Sequence, residues 1–338
     1  MIRFAETVKE SENHLPKQWS VDEAIQTLAS VTPPPPPQPI SPETVYESCQ
    51  RFMRDVGLQV QEGKEFDIGK GRRYVQALIK KSKTLLEDLH FLTLLSAGEH
   101  KDSLSIHAVN VMITALIIGK ELGYARGELE TLGTAALFHE IGMHLIPKSI
   151  RKNKGKLTDQ ELAIIRQHPE LAFNELRKYG PDYLEIAEII QQEHERIDGS
   201  GYPFGLEGAQ IKEMALIVGL LDIYDALINS RPYRDKILPS DAMKVIVRRS
   251  KGLFPAAIIK KLLVQLSIYP VKSYVRLNNA SIGMVVKTNT LWPLKPIITI
   301  IFDAQGRKIE SAKKMIDLSK TPLLYIKSVV LADDVKDF

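Results

Sequence analysis

Histidine and carboxylate side chains stand beside apolar runs in the middle of this 338-residue sequence. His139 follows the apolar run 135–138 and directly precedes Glu140, whereas Asp222 follows the apolar stretch 214–221 and has Asp225 one turn later. Burying ionisable groups is costly unless they are paired or bound to a metal, so these positions are candidate metal ligands. Five of the eight histidines lie between residues 107 and 194, namely His107, His139, His144, His168 and His194.

A hydrogen-bonded core histidine is the commoner explanation for any one such residue. That explanation is less suitable for four histidines and three carboxylates that each lie on the core side of a helix. Helical bundles build metal sites from ligands on several helices, so a metal site is the better explanation for the whole set. Imidazole and carboxylate donors without thiolate favour iron, manganese, zinc or nickel over calcium. Seven candidates are too many for one ion, so two metals are predicted. Metals about 3.5–4 Å apart generate hydroxide and bind phosphoryl oxygens, which indicates phosphoester hydrolysis.

Helical apolar spacing predicts the elements that must position these residues. Thr158 and Glu161 form a capping box, and Pro169 suits the first turn of a new helix. Segment 41–95 is helical with a loop at 57–71, and beyond Tyr269 short β-branched runs predict four or five strands. Further helices are predicted at 103–122, 128–141, 158–167, 169–178, 182–195, 213–230, 240–250 and 255–266.

These patterns predict a mainly α protein with an N-terminal helical segment and a small C-terminal β appendage. The run Pro33–Pro37 favours polyproline II, and a stiff spacer is preferred there over a docking peptide. The expected divisions are a flexible Pro-rich segment at 1–40, a helical region at 41–95, the domain with the candidate ligands at 96–268, and the β appendage at 269–338.

The composition, 44% hydrophobic and 25% charged, is that of an ordinary globular protein. Uninterrupted apolar stretches fall short of the ~20 residues that a bilayer requires, so no membrane association is expected. The N-terminus has no apolar signal region, and Cys49 is the sole cysteine, which together predict a cytoplasmic protein. A net charge of +4 without a basic stripe argues against nucleic acid as a partner.

Four segments carry a family resemblance. LFHEIG at 137–142 resembles the HD motif of the HD superfamily of phosphohydrolases, and EHERIDGSGYP at 193–203 resembles the HHExxDGxGYP signature of its HD-GYP subfamily. LDIYDALINSRPYR at 221–234 is similar to the segment that follows this signature, and HPE at 168–170 also matches. The resemblance covers about residues 65–330.

The resemblance implies a helical HD-type bundle that hydrolyses cyclic di-GMP to pGpG or GMP at a centre of two or three metals. It implies catalytic roles for Glu140, Asp222 and Tyr202. The implied metal ligands are His107, His139, Glu140, His168, Glu193, His194 and Asp222. The implied substrate-binding residues are Arg196, Asp198, Gly199, Gly201, Tyr202, Pro203 and Arg231.

Three departures from the signature bear on activity. Glu140 stands where the family has Asp, Glu193 where it has His, and Met143 where it has Lys. We therefore expect two metals, iron or manganese ahead of zinc or nickel, and weakened hydrolysis. Two alternatives remain open: a receptor that binds cyclic di-GMP or a partner without hydrolysis, and a phosphohydrolase of another nucleotide.

Two loops near these motifs have open interpretations. The Gly-Tyr-Pro loop at 201–203 is either a contact for substrate or a partner protein, or a structural turn. The basic loop 147–156 either attracts an anionic substrate or is merely solvated. His144 is expected to be structural or peripheral.

Overall fold

A computed structural model describes residues 41–80, 103–151, 153, 155–228, 239–265, 271–289, 294–309 and 315–330, with Leu86, Leu89, Thr93, Tyr269 and Trp292. The segment 1–40 and Arg231 lie outside the described residues, as do Lys152 and Lys154 of the basic loop.

The described helices confirm the expected mainly α architecture. They are α1 (Pro42–Gln61), α2 (Ile68–Ile79), α3 (Ser103–Leu122), α4 (Arg126–Phe138), α5 (Lys148–Arg151), α6 (Asp159–Ile165), α7 (His168–Leu176), α8 (Leu184–Gln191), α9 (Glu213–Ile228), α10 (Pro239–Arg249) and α11 (Ala256–Gln265). Short 3-10 turns occupy Ile141–Leu145, Arg177–Tyr179, Pro181–Tyr183 and Gly208–Gln210.

Helix α3 forms the centre of the helical domain. Val109, Met112 and Leu116 are fully buried, and the helix packs against α1, α4, α9 and α11. The segment Leu104–Leu122 is long and apolar enough to cross a membrane by length and composition, but 72% of its apolar window is buried inside the protein. A core helix passes the same test.

The N-termini of α6 and α7 carry the signals that the sequence analysis predicted for helix starts. The Thr158 hydroxyl accepts a hydrogen bond from the Glu161 amide at 3.2 Å, and the Glu161 carboxylate accepts one from the Thr158 amide at 2.8 Å. The predicted capping box is therefore confirmed, and Pro169 lies in the first turn of α7 as expected.

The predicted loop at 57–71 is wrong in its extent. Helix α1 continues to Gln61, and α2 begins at Ile68 after the N-cap Asp67. A Cβ at Gly57 would lie 2.2 Å from His144 Cε1, and one at Gly71 would lie 2.5 Å from Phe138 Cζ. Both glycines therefore make room for a packed side chain within a helix and do not break it.

Within the described ranges, the C-terminal residues form the strands β1 (Tyr274–Leu277), β2 (Ile282–Lys287), β3 (Ile297–Phe302), β4 (Met315–Asp317) and β5 (Ile326–Val330). They pair as an antiparallel sheet in the order β4-β3-β2-β1-β5. Buried Val275 of β1 pairs with Gly283 of β2 and Val329 of β5. Val275, Val285 and Ile298 join the same hydrophobic core as the helices.

Candidate metal centre

Two groups of imidazole and carboxylate side chains converge between the helices, and within each group the donor atoms lie within 4.8 Å of one another. Together they contain the seven ligands that the sequence analysis nominated. The first group is His107, His139, Glu140 and Asp222, and the second is His168, Glu193 and His194.

Different elements deliver these side chains. His107 lies in α3, and Asp222 lies in α9. His139 caps the C-terminus of α4, and the chain then turns into the 3-10 segment that begins after Glu140. His168 is the first residue of α7, while Glu193 and His194 follow the end of α8. The centre therefore depends on how closely these helices pack.

Two glycines allow that close packing. A Cβ at Gly142 would lie 1.9 Å from the backbone oxygen of His168. A Cβ at Gly219 would lie 2.0 Å from the backbone oxygen of Glu193. Since backbone atoms cannot move aside as a side-chain end can, both positions require glycine for the ligand-bearing segments to meet.

Three histidines are fixed through their Nδ1 atoms. Nδ1 of His139 donates to the Ala136 carbonyl at 2.8 Å, and Nδ1 of His168 donates to the Ile165 carbonyl at 2.8 Å. Nδ1 of His107 lies 2.6 Å from a carboxylate oxygen of Asp225. When the ring is neutral, such bonds leave the lone pair of Nε2 free to bind a metal, which is how metal-binding histidines are oriented.

The Nε2 atoms then face one another. Those of His107 and His139 are 3.3 Å apart, and those of His168 and His194 are 3.0 Å apart. Two nitrogen lone pairs at this separation repel unless a cation lies between them. A proton or a metal ion fulfils this requirement.

The buried carboxylates of the two groups also require a positive charge nearby. Glu193 is fully buried, and neither of its oxygens accepts a hydrogen bond from the described residues, although His168 Nε2 lies 3.5 Å away. Glu140 Oε2 is also buried without a hydrogen bond in this part of the chain. Buried carboxylate oxygens that accept no hydrogen bond from the described residues, beside imidazole nitrogens, are a donor set that fits a transition metal.

The titration behaviour follows from these contacts. Burial opposes the charge on His107, but its hydrogen bonds to Asp222 and Asp225 outweigh burial and raise its pKa to about 10. Burial likewise opposes the charge on His168, while Glu193 and Glu140 raise its pKa to about 9. Burial and the neighbouring His168 lower the pKa of His194 to about 3. Burial raises the pKa of Glu193.

We therefore expect the metal-free protein to lose stability as the pH rises from 6.5 to about 10. The folded state holds the protons of His107 and His168 more tightly than the unfolded state, whose pKa is near 6.5. Their contribution is complete below pH 6.5 and disappears as the pH passes about 9 and 10. Bound metal replaces these protons, so the melting temperature of loaded protein should fall less. Equal pH profiles for chelated and loaded protein would contradict this account.

The Gly-Tyr-Pro loop packs against the second group. The Tyr202 ring stacks on His194, with ring centroids 4.7 Å apart and an interplanar angle of 14°. Fully buried Glu195 accepts hydrogen bonds from the amides of Phe204 at 2.7 Å and Leu206 at 3.0 Å. Glu195 thereby holds the loop against the centre.

Four further nominated substrate-binding residues lie in this loop or in the segment just before it, and Arg231 lies outside the described residues. The Arg196 guanidinium donates to the carbonyls of Glu193 at 3.0 Å and Glu195 at 2.7 Å. Asp198 accepts from the amide and hydroxyl of Ser200. Their contacts within the protein secure the loop backbone, and a contact with substrate stays a prediction. Gly199 has a φ of +78°, and Gly201 lies against the backbone of residues 195–196.

The sequence pointed to Asp225 without giving it a role, and it did not single out Glu195. Asp225 orients His107, and its spacing of one turn from Asp222 on α9 was a usable signal, because such residues share a helix face. Glu195 holds the loop, and nothing in its spacing distinguishes it from a surface glutamate. His144 lies outside both groups, where its Nδ1 is 3.0 Å from Gln61 Nε2 of α1.

Comparisons with known proteins identify the family of the domain that carries these residues. Residues 74–257 match the HD domain family, and residues 274–338 match the KOW domain associated with HD domain. A Pseudomonas aeruginosa protein named cyclic di-GMP phosphodiesterase is 29% identical over 215 residues, 64% of this chain and 51% of that protein. A Thermotoga maritima protein of the same name is 33% identical over 181 residues, 53% of this chain and 49% of that protein.

A solved structure supports the fold. It is that of an HDG"Y"P protein from Bdellovibrio bacteriovorus, with a TM-score of 0.53 at 18% identity, covering 71% of this chain and 76% of that one. The chain spans about half the length of the two curated relatives described above.

Proposed function

The chain belongs to the HD domain family, and from that premise we propose that it is a metal-dependent phosphodiesterase that hydrolyses cyclic di-GMP to pGpG or GMP. The observation that carries the proposal is the convergence of four imidazole Nε2 atoms and three carboxylates in two adjoining groups. Metals bound in such a centre supply hydroxide near neutral pH and neutralise phosphoryl charge.

The residues of the chain have separate roles in holding the metals and in orienting the ligands. One ion would be held by His107, His139, Glu140 and Asp222, and a second by His168, Glu193 and His194. We propose iron or manganese ahead of zinc or nickel, since the donors are imidazole and carboxylate without thiolate. Asp225 holds His107 through Nδ1 and would leave its Nε2 available to an ion in the first group, and Tyr202 stacks on His194.

Metal analysis combined with a hydrolysis assay tests the proposal. Protein purified without chelators should contain about two transition-metal ions per chain and convert cyclic di-GMP to linear products. Metal-loaded protein that binds cyclic di-GMP without turnover would establish the receptor alternative. Turnover of another cyclic nucleotide in preference to cyclic di-GMP would establish the third function considered.

The departure at Met143 leads to an expected gain of activity. Met143 is half-buried in the turn after Glu140, and its amide donates to the Glu140 carbonyl at 3.0 Å. A cation there would act on the charge that develops at phosphorus in the transition state. We expect Met143→Lys to raise kcat by about tenfold to a hundredfold with little change in KM.

Met143→Gln is the matched control, because it has similar length without charge. It should leave kcat unchanged, and melting temperatures should show that both variants are folded. An unchanged kcat in folded, metal-replete Met143→Lys protein would contradict the idea that the missing lysine limits turnover.

We also propose the remaining features of the protein's context. These are a cytoplasmic location, the division of the chain at residues 40, 95 and 268, and a protein partner at the Gly-Tyr-Pro loop. The neighbouring Phe204 supports the partner site, because its side chain is 57% exposed. Exposed aromatic residues are enriched at protein interfaces.

A further inference from the structure

A groove of about 480 Å³ lies directly beside the second metal-binding group. Its walls come from α6, α7 and the Gly-Tyr-Pro loop, and they include Leu162, Arg166, Tyr202 and Pro203. Tyr202 stacks on His194, so the groove begins one ring away from the proposed ligands. The volume lies in the usual range for small-molecule sites.

The polar groups of the groove have few partners within the protein. Arg166 holds its guanidinium 5.3 Å from the centre of the Tyr202 ring. Neither Arg166 nor the groove carboxylates of Asp159 and Glu170 have an ion-pair partner among the described residues, and all three residues are exposed. The groove thus offers a planar double donor and two acceptors beside an apolar wall of Leu162 and Pro203.

This combination matches the edges of a guanine base. Arginine donates two parallel hydrogen bonds to guanine O6 and N7, which is a common specific contact to this base. Carboxylates accept from the N–H groups on the opposite edge of guanine. Adenine presents an amino donor where guanine has O6, and the arginine pair is then lost.

We propose that the groove is a guanine subsite, in which Arg166 reads the base while the attached phosphodiester lies at the metal-binding groups. The proposal rests on the proposed function, because it assumes a cyclic dinucleotide as ligand. Stacking on Tyr202 holds the guanidinium in place before the base arrives, so less side-chain freedom is lost on binding.

Arg166→Gln and Arg166→Lys separate base reading from simple charge attraction. For both variants we expect kcat/KM for cyclic di-GMP to fall about tenfold or more relative to that for cyclic di-AMP and for bis(p-nitrophenyl) phosphate, which has no base. Lysine keeps the charge but loses the fork, so its failure to restore guanine preference supports the subsite. Arg177→Gln is the matched control, since exposed Arg177 lies 5.8 Å from the Phe173 ring outside the groove.

Other outcomes overturn the subsite. If Arg166→Gln lowers kcat/KM equally for both dinucleotides and Arg166→Lys restores it, Arg166 would be a phosphate contact. Equal losses on all three substrates would make it a support for the loop. If wild-type protein hydrolyses neither dinucleotide, the proposed function fails, and calorimetric titration with cyclic di-GMP and cyclic di-AMP still decides the subsite. Equal affinities of wild-type and Arg166→Gln protein for cyclic di-GMP would then refute it.

Discussion

His139→Ala should remove metal from the first group and abolish hydrolysis of cyclic di-GMP while the helical fold remains. His139 is fully buried, and its Nε2 faces that of His107 at 3.3 Å. Alanine has no donor atom for the metal. The loss of affinity should exceed the roughly 10- to 100-fold that is typical when an outer hydrogen-bond partner of a ligand is removed. Metal content and turnover measure the effect.

His144→Ala is the matched control for this variant. His144 lies five residues further along, packs against Gly57 and belongs to neither group. Its removal should lower the melting temperature but leave the metal content intact. Wild-type metal content and turnover in folded His139→Ala protein would show that the first group is not the metal site.

The second large effect is expected for Gly219→Ala. The new methyl would lie 2.0 Å from the backbone oxygen of Glu193, so α9 and the segment with Glu193 must move apart. Asp222 lies one turn further along α9, and the two metal-binding groups should therefore separate. We expect loss of metal and of hydrolysis, with a stability loss of about 1–3 kcal/mol from overpacking.

Gly127→Ala provides the comparison at an open position. Gly127 lies in the first turn of α4, and a Cβ there would meet no atom within 4 Å. Alanine should stabilise this helix by up to about 1 kcal/mol. Metal titration and urea unfolding of both variants test the contrast, and a metal-replete, fully stable Gly219→Ala protein would disprove the close contact.

The sequence predicted the fold class better than the loops, and the structure brings the residues that it nominated as ligands into two groups. His107 and Asp222 are far apart in the chain. Both were nevertheless predicted as metal ligands, because they lie in apolar helices and because the surrounding motifs resemble those of the family. The hydrogen bond between Asp225 and His107 depends on the packing of α3 against α9, which no local pattern encodes. The role of Glu195 is equally absent from the local sequence pattern, because its hydrogen-bond partners are backbone amides.

Glycine caused the clearest error of interpretation. Local rules treat a cluster of glycines as a loop signal, and this holds where a backbone turns. At Gly57 and Gly71 the glycines face His144 and Phe138, respectively, across a helix interface. Only the tertiary contact distinguishes these two uses.

The contact between Gly57 and His144 has a consequence for related sequences. The His144 ring occupies the space of any side chain at position 57, so neither position is free to diverge by itself. Relatives that carry alanine or a larger residue at position 57 should carry a smaller residue at position 144. This paired variation would mark, across a lineage, which members dock helix α1 against the turn that follows Glu140.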